Sequence, residues 1–82
     1  MPCAKYEMRL KGIIMRTNAG YVIVRSCSID SRLEVVLGSN AHQCVTWLCK
    51  DGEDYFWGHY FNNFIEALQD FGKRITAEAA GC

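Results

Sequence analysis

Seven side chains in this 82-residue sequence are the thiols and imidazoles on which zinc sites and cysteine chemistry chiefly draw: five cysteines at 3, 27, 44, 49 and 82, and two histidines, His42 and His59. A structural zinc site draws on closely spaced ligand pairs such as C-x2-C. The nearest cysteine pair here is Cys44-x4-Cys49, and an odd offset on a strand sends the two side chains to opposite faces. His42-x-Cys44 supplies two ligands on one face and His59 a third candidate, but a fourth is missing, so neither a metal nor another cofactor is expected. An odd cysteine count does not close into a disulfide framework, and reduced, mostly buried thiols are the expectation. There is no G-x-S-x-G, no H-E-x-x-H, no phosphate loop and no evident base beside a cysteine, so the sequence reads as non-enzymatic.

A second kind of chemistry is carried by the aromatics. Six of the ten fall between Trp47 and Phe61, on either side of Asp51-Gly52. Asp-Gly between two β-prone runs favours a two-residue turn with positive φ at both central positions. With Lys50 then opposite Glu53, the register follows by constant sum: Cys49 with Asp54, Leu48 with Tyr55, Trp47 with Phe56, Thr46 with Trp57 and Cys44 with His59. One face would carry Val45, Trp47 and Phe56, with Gly58 leaving a gap for a helix side chain. The other would carry Thr46, Leu48, Tyr55, Trp57 and His59, aromatic bodies with polar tips of the kind enriched at protein interfaces. The expected partner-binding set is therefore Thr46, Tyr55, Trp57 and His59, with the acidic hairpin tip Asp51, Glu53 and Asp54 facing a basic partner.

The elements that must position these residues follow from periodicity. The segment 6–17 alternates and then changes parity at Gly12, which suggests a strand with a bulge or bend. Asn18-Ala19-Gly20 is a turn signal, and Tyr21–Cys27 is a β-branched run of strand length. Leu33–Leu37 alternates as a third strand, ended by Gly38-Ser39-Asn40. After the Asp-Gly hairpin, Phe64, Ile65, Leu68, Phe71, Gly72, Ile75 and Ala79 recur at helical spacing, with Asn63 and Glu66 in the positions of a reciprocal cap. Asp70 and Arg74 read as an i,i+4 ion pair on the exposed side. The whole reads as one α+β domain over residues 1–82, an antiparallel meander of about five strands with one C-terminal helix on one face. A single helix covers only one face of a sheet, so the second is expected to be open to a partner or to another copy in a homodimer.

Composition narrows the partner. Nine Lys and Arg balance nine Asp and Glu, which removes bulk attraction to nucleic acid or an acidic membrane, and the apolar half of the sequence excludes a disordered chain. The zero charge hides an asymmetry: residues 1–37 hold six basic and three acidic side chains, residues 38–82 the reverse. Arg9, Lys11, Arg16 and Arg25 on the first hairpin give the alternative reading, a small nucleic-acid-binding module. Charges scattered through the first twenty residues leave no hydrophobic region of a signal peptide, and a run such as Tyr21–Val24 is far below the roughly 20 residues needed to span a bilayer. A cytoplasmic protein without a membrane anchor is expected.

Val35-Val36-Leu37-Gly38, Val45-Thr46-Trp47, Asp54-Tyr55-Phe56-Trp57-Gly58-His59-Tyr60-Phe61 and the stretch 67–74 carry a resemblance. Over about half its length the chain resembles small proteins carried on conjugative elements and prophages of anaerobic Gram-positive bacteria, with a V-T-W … D-Y-Y-W-G-H-Y-F pattern before a helix. The resemblance brings no activity with it. It implies a mobile-element or phage setting, and through that a stoichiometric protein binder such as an anti-CRISPR-like inhibitor of host defence.

Overall fold

The computed structural model describes residues 16–80, with side chains through Ala79. It is an α+β fold, a five-stranded antiparallel meander followed by one helix: β1 (Thr17–Asn18), β2 (Tyr21–Ser28), β3 (Leu33–Ser39), β4 (Cys44–Lys50), β5 (Asp54–Phe61) and α1 (Phe64–Ala80). Most of the expected first strand, with its Gly12 bend and with Arg9 and Lys11, lies outside the described residues. Its end pairs as β1, and Ala19 and Gly20 turn the chain with φ of 53° and 86°. The next two connections are each held by a short polar side chain. Asp30 Oδ1 accepts from the backbone of Arg32 and Leu33, and Asn40 Oδ1 accepts from His42 and Gln43. Such Asx turns satisfy backbone donors where the ladder ends.

The β4–β5 turn has the expected chemistry and an unexpected register. Asp51 and Gly52 both have positive φ, 56° and 76°, and Glu53 donates its backbone N–H to Lys50 O. The first pair of the ladder, however, is Lys50 with Asp54, so three residues rather than two lie in the loop. Cys49 consequently faces Tyr55, and Leu48 faces Phe56. A bulge at Trp57 and Gly58 then adds one more residue to β5, so that Thr46 lies opposite His59, Val45 opposite Tyr60 and Cys44 opposite Phe61. A second bulge interrupts β2 at Val24.

The two faces of β4 are the reverse of the sequence expectation. Leu48 packs beneath the helix with Cys44, Val35, Leu37, Ala67 and Phe71, and Phe56, Phe61, Leu68 and Ile75 border this core. Val45 and Trp47 lie on the other side with Tyr21, Val36 and Cys49, bordered by Ile23 and Tyr55. The cause is the size of the Trp47 indole, which needs a slot. A Cβ on Gly38 would lie 3.2 Å from Trp47 Cζ3 and one on Gly58 2.8 Å from Trp47 Nε1, so these two glycines make that slot. The gap at Gly58 is filled by Trp47, not by a helix side chain.

Asn63 caps α1 as expected, its Oδ1 accepting from the backbone of Ile65 and Glu66, which is worth about 1 kcal/mol. Below the cap the buried stripe is centred on Ala67 and Phe71. Gly72 is exposed, and a Cβ added there would meet no packed neighbour within 4 Å, so it is not on that stripe. Asp70 and Arg74 are not on the exposed side either. They reach down to the sheet.

Candidate functional site

The bulge in β5 is the least ordinary backbone in the described structure. Trp57 adopts φ of 54°, a left-handed conformation that costs a bulky residue on the order of 1 kcal/mol or more. Its carbonyl is held by Arg74 Nη2, which donates to Trp57 O at 2.6 Å. Arg74 Nη1 donates to Thr46 O at 3.0 Å and to Thr46 Oγ1 at 3.2 Å, so one guanidinium spans β4, the bulge and the helix. Burial draws the Arg74 pKa below the ordinary arginine value, against the charges of Asp70 and Glu78. Three oxygens nonetheless receive its N–H groups.

Thr46 continues the network. It has no exposed surface, and its hydroxyl donates to Asp70 Oδ2 at 2.6 Å. The same carboxylate oxygen lies 3.0 Å from His59 Nδ1, which must carry the proton to donate to it. Burial pushes the Asp70 pKa up, but the bonds from Thr46 and His59 and the charges of His59 and Arg74 outweigh it and hold this carboxylate below its ordinary range. A carboxylate-bound histidine is half of a catalytic triad. Here the Thr46 hydroxyl is bonded to the carboxylate and sealed from solvent, so it is not placed as a nucleophile before the ring. The cluster fastens helix to sheet.

The seven residues expected to bind a partner therefore do not share a face. Thr46 is buried under α1. Tyr55 is half-buried on the opposite side, its ring edge-on to Trp47 and beneath Arg16, whose Nε donates to Tyr55 Oη at 3.0 Å. His59 is on the helix side, bonded to Asp70. Asp51 is tied to Arg32 by two bonds of 2.9 and 2.8 Å, and its pKa is lowered chiefly by them. Trp57, Glu53 and Asp54 are exposed along β5 and its turn, and so are His59 and Asp51, each of which is bonded to another side chain. The three-residue loop and the bulge together account for the dispersal, because each added residue changes which side chains share a face.

What is exposed instead is a corner. The large apolar side chains more than a third open to solvent are Val24 on β2 (47%) and Trp57 (69%), Tyr60 (55%), Phe64 (39%) and Ile65 (59%). Four of the five lie within nine consecutive residues, across the outer half of β5 and the first turn of α1. Trp57 rests edge-on against Phe56, and Tyr60 leans toward Tyr21. Sequence reasoning placed Phe64 and Ile65 on the buried stripe and passed over Tyr60. The signal was Ala67: a stripe centred on this small residue puts Ile65 almost half a turn away, toward solvent. A cleft of about 310 Å³ lies elsewhere, between the β2–β3 connection and the β4–β5 turn, lined by Asp30, Arg32, Glu34 and Asp51 among others. Its guanidinium is already taken by Asp51.

The basic residues of the alternative reading fare differently. Arg25 is exposed, while Arg16 forms a bidentate pair with Glu34 at 3.2 and 2.6 Å, which raises its pKa further. Arg16 Nη2 also lies 3.4 Å from Cys49 Sγ. Burial and the charge of Glu34 push that thiol's pKa up, so it stays a thiol. Cys27, Cys44 and Cys49 are free, and among the described residues no three His, Cys, Asp or Glu side chains are grouped to hold a metal ion. No described helix is long and apolar enough to cross a membrane. No family model, curated protein or solved structure matches the chain.

Proposed function

We propose that this protein acts without catalysis, by binding another protein through the corner formed by β5 and the first turn of α1. The observation that carries the proposal is the clustering of Trp57, Tyr60, Phe64 and Ile65, four exposed apolar side chains in nine residues. Tryptophan and tyrosine at the centre of such a patch are the side chains that most often dominate binding energy. The edge of β5 is not suited to adding a strand, since the bulge breaks its ladder and Arg74 takes the Trp57 carbonyl. A partner therefore reads side chains. The mobile-element setting, and with it a role as a stoichiometric inhibitor of a defence protein, belongs to this proposal through the resemblance alone. Binding of nucleic acid finds less support, because Arg16 is committed to Glu34.

A photo-crosslinking residue placed at 57, 60 or 65, and at 24 as an exposed control, tests this in the native host. Discrete protein adducts are expected from the three corner positions and not from position 24. Adducts of equal yield from all four, or nucleic acid as the adduct, would remove the proposal.

A further inference from the structure

Between Glu53 and Glu66 the chain contains three carboxylates, Glu53, Asp54 and Glu66, and no lysine or arginine. All three are exposed. They bracket the apolar corner: Glu53 and Asp54 at the turn end of β5, Glu66 beside Ile65 in the first turn of α1. The neighbouring cations do not neutralise both ends. Lys50 is the register partner of Asp54, Arg74 is turned inward to Thr46 and the bulge, and Lys73 lies two turns along the helix.

Resting on the reading of this corner as a protein-binding surface, we infer that its occupant is a cationic polypeptide segment, with arginine or lysine side chains interleaved with apolar ones. At about 3.3 Å per residue, β5 sets Asp54 roughly 10 Å from Trp57 and roughly 23 Å from Phe61, the span of about seven extended residues. Within that span the partner meets the Glu53 and Asp54 carboxylates at one end and an exposed indole near the middle, and Glu66 follows in the first turn of α1. Tryptophan is the best aromatic face for a guanidinium or ammonium. The same charges disfavour the rivals. A second copy meeting this edge about a two-fold axis would bring its own Glu53 and Asp54 toward Glu66, placing like charges together. Nucleic acid would bring phosphates against them.

The test uses the full 82-residue chain, labelled with nitrogen-15 and titrated with three blocked nine-residue peptides of alternating sequence: arginine with leucine, citrulline with leucine, and glutamate with leucine. Citrulline keeps the shape of arginine and removes its charge. The expected result is shifts at the Trp57 indole, Tyr60 and Ile65 with the arginine peptide, and binding at least tenfold weaker with citrulline. Glu53→Gln, Asp54→Asn and Glu66→Gln in one chain are expected to weaken the arginine peptide similarly, and Trp57→Ala to abolish it. Equal binding of the citrulline peptide, lost in Trp57→Ala, overturns the cationic occupant and leaves the corner as a binding surface. Binding lost with the charge substitutions but kept by Trp57→Ala overturns the corner itself. Shifts from none of the peptides, alongside concentration-dependent dimerisation in sedimentation, overturn both.

Discussion

Thr46 and Trp47 are neighbours in β4, both buried, and they point to opposite sides of the sheet. On the Thr46 side a helix lies over the strands, and a polar network of Asp70, His59 and Arg74 fastens it beside the apolar core of Leu37, Leu48 and Phe71. On the Trp47 side, among the described residues, aromatic rings meet one another: Tyr21 stands edge-on to Trp47 at 5.6 Å between centroids and Tyr55 at 5.5 Å, with the Arg16–Glu34 pair over Tyr55. One side is specified by hydrogen bonds between distant elements, the other by the fit of a large ring between two glycines. The lesson is that a small sheet with one helix need not leave its second face bare. Most of the large apolar side chains left exposed then lie at the edge and corner where neither device reaches.

Substitutions that remove one device and spare the other sharpen this contrast. The largest effect is expected from Trp47→Ala, which empties the ring side and should cost about 3–5 kcal/mol in chemical denaturation. A loss below about 1 kcal/mol would mean that the rings decorate the sheet rather than hold it. Next comes Thr46→Val, which keeps the shape but leaves Asp70 and Arg74 short of a buried partner, at about 2–3 kcal/mol. Thr46→Ser should recover most of that loss, and a full loss with serine would place the effect in packing instead. Gly58→Ala pushes a Cβ to within 2.8 Å of Trp47 Nε1 and should cost about 1–3 kcal/mol. In the Trp47→Ala background that penalty should largely vanish, because the two sites share one slot, and additive penalties would break the slot account.

The smallest effect is with pH. The Asp70 pKa in the folded chain lies below the ordinary aspartate value of 3.8, so its contribution to stability is fully present above that value and is lost as pH falls through the folded one. Asp30 and Asp51 are lowered too and act in the same direction. Comparison with Asp70→Asn isolates the network. The variant should show a shallower loss of stability below about pH 4, and an unchanged acid limb would mean that Asp70 is no better held than a surface carboxylate.

The element order was readable from the sequence because its signals are local. Alternation over Leu33–Leu37, positive φ at Asp51-Gly52 and the Asn63 cap each depend on a few adjacent residues. Register was not, since Asp-Gly chemistry is the same whether Lys50 pairs with Glu53 or with Asp54. Nor was the side of β4 that the helix would choose, which depends on Gly38 and Gly58 meeting one indole from two different strands. Asp70 and Arg74 show the same limit: i,i+4 spacing places them on one line of the helix without saying whether that line faces water or Thr46. The corner fell between these signals. Trp57 was singled out for a face it does not share, and Phe64 and Ile65 for a stripe they flank.

Each strand of the meander pairs with the one just before it, in the order β1-β2-β3-β4-β5. Pairing of that kind closes short loops in succession, which favours quick assembly, with contacts between distant side chains expected to form late. Among the described residues Arg16, bonded to Tyr55 across 39 residues and to Glu34 across 18, makes the longest such side-chain link. Its removal in Arg16→Ala should quicken unfolding while leaving the folding rate nearly unchanged, as stopped-flow chevrons would record. On that outcome Arg16 is a latch, governing how long the folded chain lasts rather than how soon it forms.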